Sequence, residues 1–136
     1  IPLRLVGSEM CIRDSYKVVI RKGDNVSLID AIADSGNSLV DSFSGKPVII
    51  CRRSDLYKII DFSYDISFEN AKEAYEKNSV RFIPYSTIGN FGMIPVFTPD
   101  EILICDEETG RKRSVDAMVG INEKDVPAIF NPKLLC

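Results

Sequence analysis

The chain has 136 residues, 45% of them hydrophobic, with 17 Lys+Arg against 20 Asp+Glu and a net charge of −3; this is the length of one domain, enough to bury a core without disulfides or metals. It contains no histidine, which excludes a Ser-His-Asp triad, a Cys-His dyad and any His-ligated zinc or haem site. The mild acidity, with no basic stripe interleaved with aromatics, argues against a nucleic-acid partner.

The cysteines, Cys11, Cys51, Cys105 and Cys136, form no CxxC pair. A zinc knuckle or thioredoxin-type site is therefore excluded, and scattered thiols fit a reducing compartment. The apolar runs are a few residues long, far short of the ~20 that span a bilayer. The fragment is expected to be soluble, and nothing in it calls for a metal or another cofactor.

Residues 1–15 (IPLRLVGSEMCIRDS) lack alternation, sustained helical period and signal-peptide architecture. They are expected to be a non-native leader or a linker, which leaves 16–136 as the domain. From Tyr16 the pattern turns to β: Tyr16–Arg21 reads as a strand, Gly23-Asp24-Asn25 as a turn and Val26–Ala33 as a second strand. Asp34-Ser35-Gly36-Asn37 interrupts the apolar stretch. Ser44-Gly45-Lys46-Pro47 is a further turn leading into Val48–Cys51, with Pro47 where no ladder N–H is needed.

Helix signals fill the middle. Ser54 is placed to cap a short helix carrying Leu56, Ile59 and Ile60, and Ser67 to cap another through Asn78 with Phe68, Ala71 and Tyr75 on its apolar face. Strands are predicted again at Val80–Tyr85, Met93–Phe97, Glu101–Cys105 and Ser114–Val119. Asp106-Glu107-Glu108 faces Arg111-Lys112-Arg113 across Thr109-Gly110, as a solvated hairpin turn would. A short helix at Pro132–Leu135 closes the chain.

The chemistry concentrates where a strand runs directly into Asp34-Ser35-Gly36. Aspartic proteases place a carboxylate on a tight loop at the end of a buried strand, where Gly permits the sharp backbone. Two such carboxyls a few ångström apart share one proton and titrate as a unit. One acts as general base on water while the protonated one donates to the scissile carbonyl. Asp-Ser-Gly by itself is also ordinary turn chemistry. Downstream, Gly89-Asn90-Phe91-Gly92 lies between two strand-like runs and is a candidate flap over a cleft, or else a plain β-turn. Two apolar triplets, Ala117-Met118-Val119-Gly120 and Ala128-Ile129-Phe130-Asn131, are candidates to pack beneath the acid loop. Strand order favours the second, with Asn131 where a Gly is expected. One Asp-Ser-Gly in so short a chain requires a C2 homodimer to complete the pair of acids.

The chain resembles the C-terminal protease domain of the sporulation sigma-E factor processing peptidase family of endospore-forming Firmicutes. The resemblance rests on Leu28-Ile29-Asp30, Asp34 through Leu39, Asp41 and Ser44-Gly45-Lys46-Pro47-Val48. It continues in Arg81-Phe82-Ile83-Pro84-Tyr85 with Gly89, Pro95 through Asp100, and Ala128 through Pro132 with Leu134-Leu135. It implies a mainly β fold with short helices, a retropepsin-like aspartic protease barrel with one lobe per chain, active as a homodimer. It implies Asp34 as the catalytic aspartate, supported by Ser35 and Gly36. The implied activity is removal of the N-terminal pro-segment of an inactive sigma factor, the sigma-E precursor, in response to a signalling protein secreted by the forespore. It further implies a parent protein held in the cell membrane by a multi-span N-terminal half that these residues do not include, with this domain on the cytoplasmic side. Ser86 and Asn90-Phe91 stand where the family has a basic residue and a run of glycines. Arg81 and Tyr85 suggest substrate contacts, or simply alternating faces of a strand. The competing expectations are a non-catalytic interaction domain of the same fold, and a retropepsin-like peptidase with a different substrate.

Overall fold

The computed structural model describes residues 16–63, 66–87 and 90–135. The expected leader at 1–15, with Cys11, lies outside the described residues, as do Gly89 and Cys136. The strands are β1 Tyr16–Lys22, β2 Asn25–Ala33, β3 Val48–Arg52, β4 Arg81–Thr87, β5 Asn90–Phe97, β6 Glu101–Asp106, β7 Lys112–Val115, β8 Met118–Asn122 and β9 Ala128–Phe130, with one α-helix, α1, Ala71–Asn78. The fold is mainly β with short helices. The strands form a single sheet in the order β4-β5-β8-β3-β9-β2-β1-β6-β7.

Period-two alternation accounts for the β1-β2-β6 wall. Val18 lies opposite Ile29 on one side and Ile104 on the other, and Ile20 opposite Ile102. All five side chains are at most 2% exposed, and each such burial contributes roughly 1.5–3 kcal/mol. Ile49, Cys51, Phe97, Val119, Ile121 and Phe130 extend this core, and Leu56, Ile60 and Ala74 cover it from the connecting segments. Tyr16 meets the buried Phe130 edge to face at 5.3 Å. A smaller cluster of Val48, Ile83, Ile94, Val96 and Met118 lies under the β4–β5 hairpin, with Leu39 and Ile50 against it.

The topology fixes the acid loop. β2 and β3 are consecutive in the chain yet separated in the sheet by β9, which runs parallel to β2 and antiparallel to β3. β8 then runs parallel to β3, Val48 opposite Met118. The two apolar triplets thus pair with the strands on either side of residues 34–47.

Several local expectations change. Ser114–Val119 is not one strand: β7 ends at Val115 beside β6, and β8 begins at Met118 between β5 and β3. The chain crosses from one end of the sheet to the other half through Asp116-Ala117, so no continuous ladder is available there. Ser54 sits inside a 3-10 turn, Arg53–Asp55, rather than capping a helix. Leu56, Ile59 and Ile60 are buried nonetheless. At the second helix a 3-10 turn, Phe68–Asn70, precedes α1. The residue α1 buries is Ala74, whereas Phe68 and Tyr75 are 57% and 59% exposed. A small side chain lets the eight-residue helix approach the core, and the aromatics lie on its flank. The helix ends with Ser79 in the left-handed region, φ 57°, its N–H and that of Val80 donating to Tyr75 and Ala74 carbonyls. Among the described residues no helix is long and apolar enough to cross a membrane.

Candidate active site

Asp34 is the first residue after β2. Its N–H donates to the Phe130 carbonyl at 2.8 Å, which continues the β2–β9 ladder by one bond. Its Oδ1 accepts the Gly36 N–H at 2.8 Å, the bend that Asx turns make. A Cβ at position 36 would stand 3.1 Å from that oxygen, so a glycine suits the turn. Asp34, Ser35 and Gly36 are all exposed in the single chain.

The loop is tied from beneath by two amides. Asn37 is buried, and its Nδ2 donates to the Val48 carbonyl at 3.1 Å and the Ile129 carbonyl at 3.5 Å. Its N–H closes the turn on the Asp34 carbonyl at 3.0 Å. Asn131, just past β9, donates from Nδ2 to the Asn37 carbonyl at 2.8 Å. Of the two triplets, Ala128-Ile129-Phe130 is therefore the one directly beside Asp34. Asn131, a departure from the expected Gly, spends its side chain on the loop.

The next turn is held by a charge. Asp41 is 0% exposed. Its carboxylate accepts from Arg81 Nη2 at 2.9 Å, from Ser44 Oγ at 2.8 Å and from the Phe43 N–H at 3.3 Å. The Arg81 guanidinium bond, aided by Ser44 and the Phe43 N–H, outweighs burial and holds the Asp41 carboxyl down at about 2. Arg81 is thus engaged by an acid of this chain, and its guanidinium also lies 5.6 Å from the Phe43 ring.

Above the loop stands the β4–β5 hairpin, paired from Arg81 opposite Val96 to Thr87 opposite Asn90. β5 pairs with β8 through Val96 and Phe97 alone, so beyond Pro95 the two strands project as a ribbon. Gly92 lies opposite Tyr85, whose ring stands 3.2 Å from where a Cβ would be. The candidate flap maps onto this ribbon, with Asn90, Phe91 and Gly92 in β5 and Gly89 outside the described residues.

Loop and ribbon enclose a cleft of about 540 Å³ lined by Asp34, Gly36, Leu39, Ile50, Tyr85, Phe91 and Ile129 among others. Ser35 is not among the lining residues. Among the described residues Asp34 supplies the one carboxylate of the lining; Ser38, Ser86 and Tyr85 supply hydroxyls, and the other side chains are apolar or amide. Cys51 is buried, and that burial pushes its thiol far above the usual range. It is no nucleophile. Among the described residues no three His, Cys, Asp or Glu side chains converge into a metal-binding group. What the arrangement offers a substrate is one positioned carboxyl under a projecting ribbon, on an apolar floor.

Comparison with known proteins identifies the family. The profile of the family Peptidase_U4, described as sporulation factor SpoIIGA, matches residues 7–128, and the chain belongs to that family. It is 25% identical over 118 residues to the sporulation sigma-E factor-processing peptidase of Priestia megaterium, an alignment covering 76% of this chain and 38% of the relative. The chain therefore spans well under half the length of that curated relative.

Proposed function

We propose that this chain is one half-site of a dimeric aspartic endopeptidase that removes the N-terminal pro-segment of the sigma-E precursor. The observation that carries the reading is Asp34, held at a strand end by its own backbone bonds and facing an apolar cleft beneath a ribbon. Peptide hydrolysis by carboxylates needs two of them sharing a proton, and the lining supplies one. The second comes from Asp34 of another copy across a two-fold axis. In the pair, the ionised carboxylate takes a proton from water as it attacks the scissile carbonyl, and the protonated partner donates to the carbonyl oxygen. Ser35 and Gly36 support the loop.

The retropepsin-like barrel, one lobe per chain, belongs to the same proposal: β9 between β2 and β3 under the acid loop, and a ribbon above it, are the parts such a lobe needs. So do the membrane-held parent with this domain on the cytoplasmic side, and control by a forespore-secreted signalling protein. The sigma-E precursor as substrate follows from the name of the Priestia megaterium relative. Asp34→Asn is the decisive test. The amide keeps an oxygen for the Gly36 N–H, and the site is exposed, so stability should move by no more than about 0.5 kcal/mol. Cleavage of the precursor should fall by about 10³-fold or more. Cleavage that persists would remove Asp34 as the catalytic acid and the proposal with it, whereas a wild-type dimer that cleaves nothing would favour a non-catalytic interaction domain.

A further inference from the structure

Resting on that reading of the cleft, we propose that the Asp41–Arg81 ion pair is a positioning strut that sets the ribbon over Asp34. The pair stands where the ribbon leaves the sheet. Arg81 is the first residue of β4 and lies opposite Val96, the residue at which β5 parts from β8. Asp41 is in the turn that follows the acid loop. Its N–H donates to the Lys46 carbonyl at 2.9 Å, and its carbonyl accepts the Gly45 N–H at 2.7 Å. The neighbouring Leu39 and Val40 line the cleft with Asp34. One ion pair therefore joins the base of the ribbon to the wall that carries the acid.

Burial makes this tie directional. The acids paired with Lys46 and Arg53, Asp116 and Glu123, are 81% and 68% exposed, and pairs of that kind contribute little. Asp41 is wholly buried while the Arg81 side chain is one-third exposed, so the carboxylate keeps its cation or stands uncompensated in the interior. The two regions are also linked by the Arg81 guanidinium over the Phe43 ring and by Leu39 and Ile50, which pack against the cluster that holds Ile83 and Ile94. Apolar contact fixes no angle. The 2.9 Å bond from a planar guanidinium to a carboxylate does, and Ser44 and the Phe43 N–H hold the carboxylate in place.

The test is the double variant Asp41→Asn/Arg81→Gln, which removes both charges and keeps amides that can hydrogen-bond. Hydrogen exchange followed by mass spectrometry on the whole chain should show amides in 82–87, 90–96 and 39–47 exchanging at least about tenfold faster, with those of 17–31 unchanged. With sigma-E precursor as substrate, KM should rise severalfold more than kcat falls, because Asp34 and its bonds are intact. Should the double variant not fold, Arg81→Lys carries the test: the ammonium keeps the charge and loses the planar guanidinium that donates from Nη2 to Asp41 and lies over the Phe43 ring, and exchange in the ribbon should rise about threefold at an unchanged melting temperature. Wild-type exchange in the ribbon of a folded variant overturns the strut. Exchange requires no substrate, so the strut can fail while Asp34→Asn still abolishes cleavage. Conversely, cleavage by Asp34→Asn would sink the assignment of Asp34 as the catalytic acid whatever the ribbon does.

Discussion

The β1–β2 and β4–β5 hairpins are built on the same ladder, seven antiparallel residue pairs each, but their surroundings differ. β1 is paired along six positions by β6, and β2 is held at its end by β9. β4 is an edge strand, and β5 touches β8 through two residues. Pro84 is tolerated in β4 because an edge strand owes no further N–H. The two hairpins therefore have equal ladders and differ in flanking support, which is expected to make the first the stiffer. The well-flanked hairpin ends in Asp34 and the weakly flanked one reaches over it, which under the proposed function divides the fixed acid from its cover.

The sharpest way to break this comparison is to remove what stiffens the first hairpin. Phe130 is 0% exposed, packs edge to face on Tyr16, and its carbonyl receives the Asp34 N–H. Phe130→Ala should cost about 3–5 kcal/mol, read as a fall in denaturant midpoint, and the loss should speed exchange in β1–β2 together with the global core. A cost under about 1 kcal/mol would mean that β9 is not what braces the acid loop.

Acid sharpens the comparison from the other side. The Asp41 carboxyl lies near 2 in the folded chain against an ordinary 3.8. Depression of a carboxyl means the folded state is favoured above 3.8 and loses that advantage as pH falls through 3.8 towards 2. The contribution is about 2–3 kcal/mol at most. Urea titrations between pH 5 and pH 2.5 should show a steeper loss in wild type than in Asp41→Asn. Parallel slopes would place the acid sensitivity elsewhere, for instance at Asp61, whose carboxyl is also held below its usual value by Ser63.

How much of this was legible in the sequence follows from distance along the chain. The β1–β2 hairpin was readable because alternation and Gly23-Asp24 lie within one stretch, and so was Asp34 at a strand end. The split of Ser114–Val119 was not, because the run itself alternates and the break is imposed by where the sheet needs β8. Asn37 and Asn131 are 94 residues apart, and Asp41 and Arg81 are 40 apart. Nothing local pairs them. Asp41 with Ser44 three residues on did announce a side-chain-held turn, and Asn131 in place of a Gly was the visible sign of an extra bond. On the helix, period 3.6 says which residues align, whereas the sheet takes the alanine that fits closely, Ala74.

The smallest effect on stability and the most telling on function belongs to Phe91. Its side chain is 82% exposed yet lines the cleft from the ribbon, so Phe91→Ala should shift folding stability by less than about 0.5 kcal/mol. If the ribbon closes on substrate, that ring becomes buried against it, and its loss should raise KM for the sigma-E precursor by roughly five- to tenfold, a part of the 1.5–3 kcal/mol of full burial. Leu28 on the stiff hairpin is the matched control, a 66% exposed apolar side chain away from the cleft, and Leu28→Ala should move neither quantity. Equal KM values in the two variants would mean that the ribbon stands clear of the substrate, and the contrast between the hairpins would then be one of support alone.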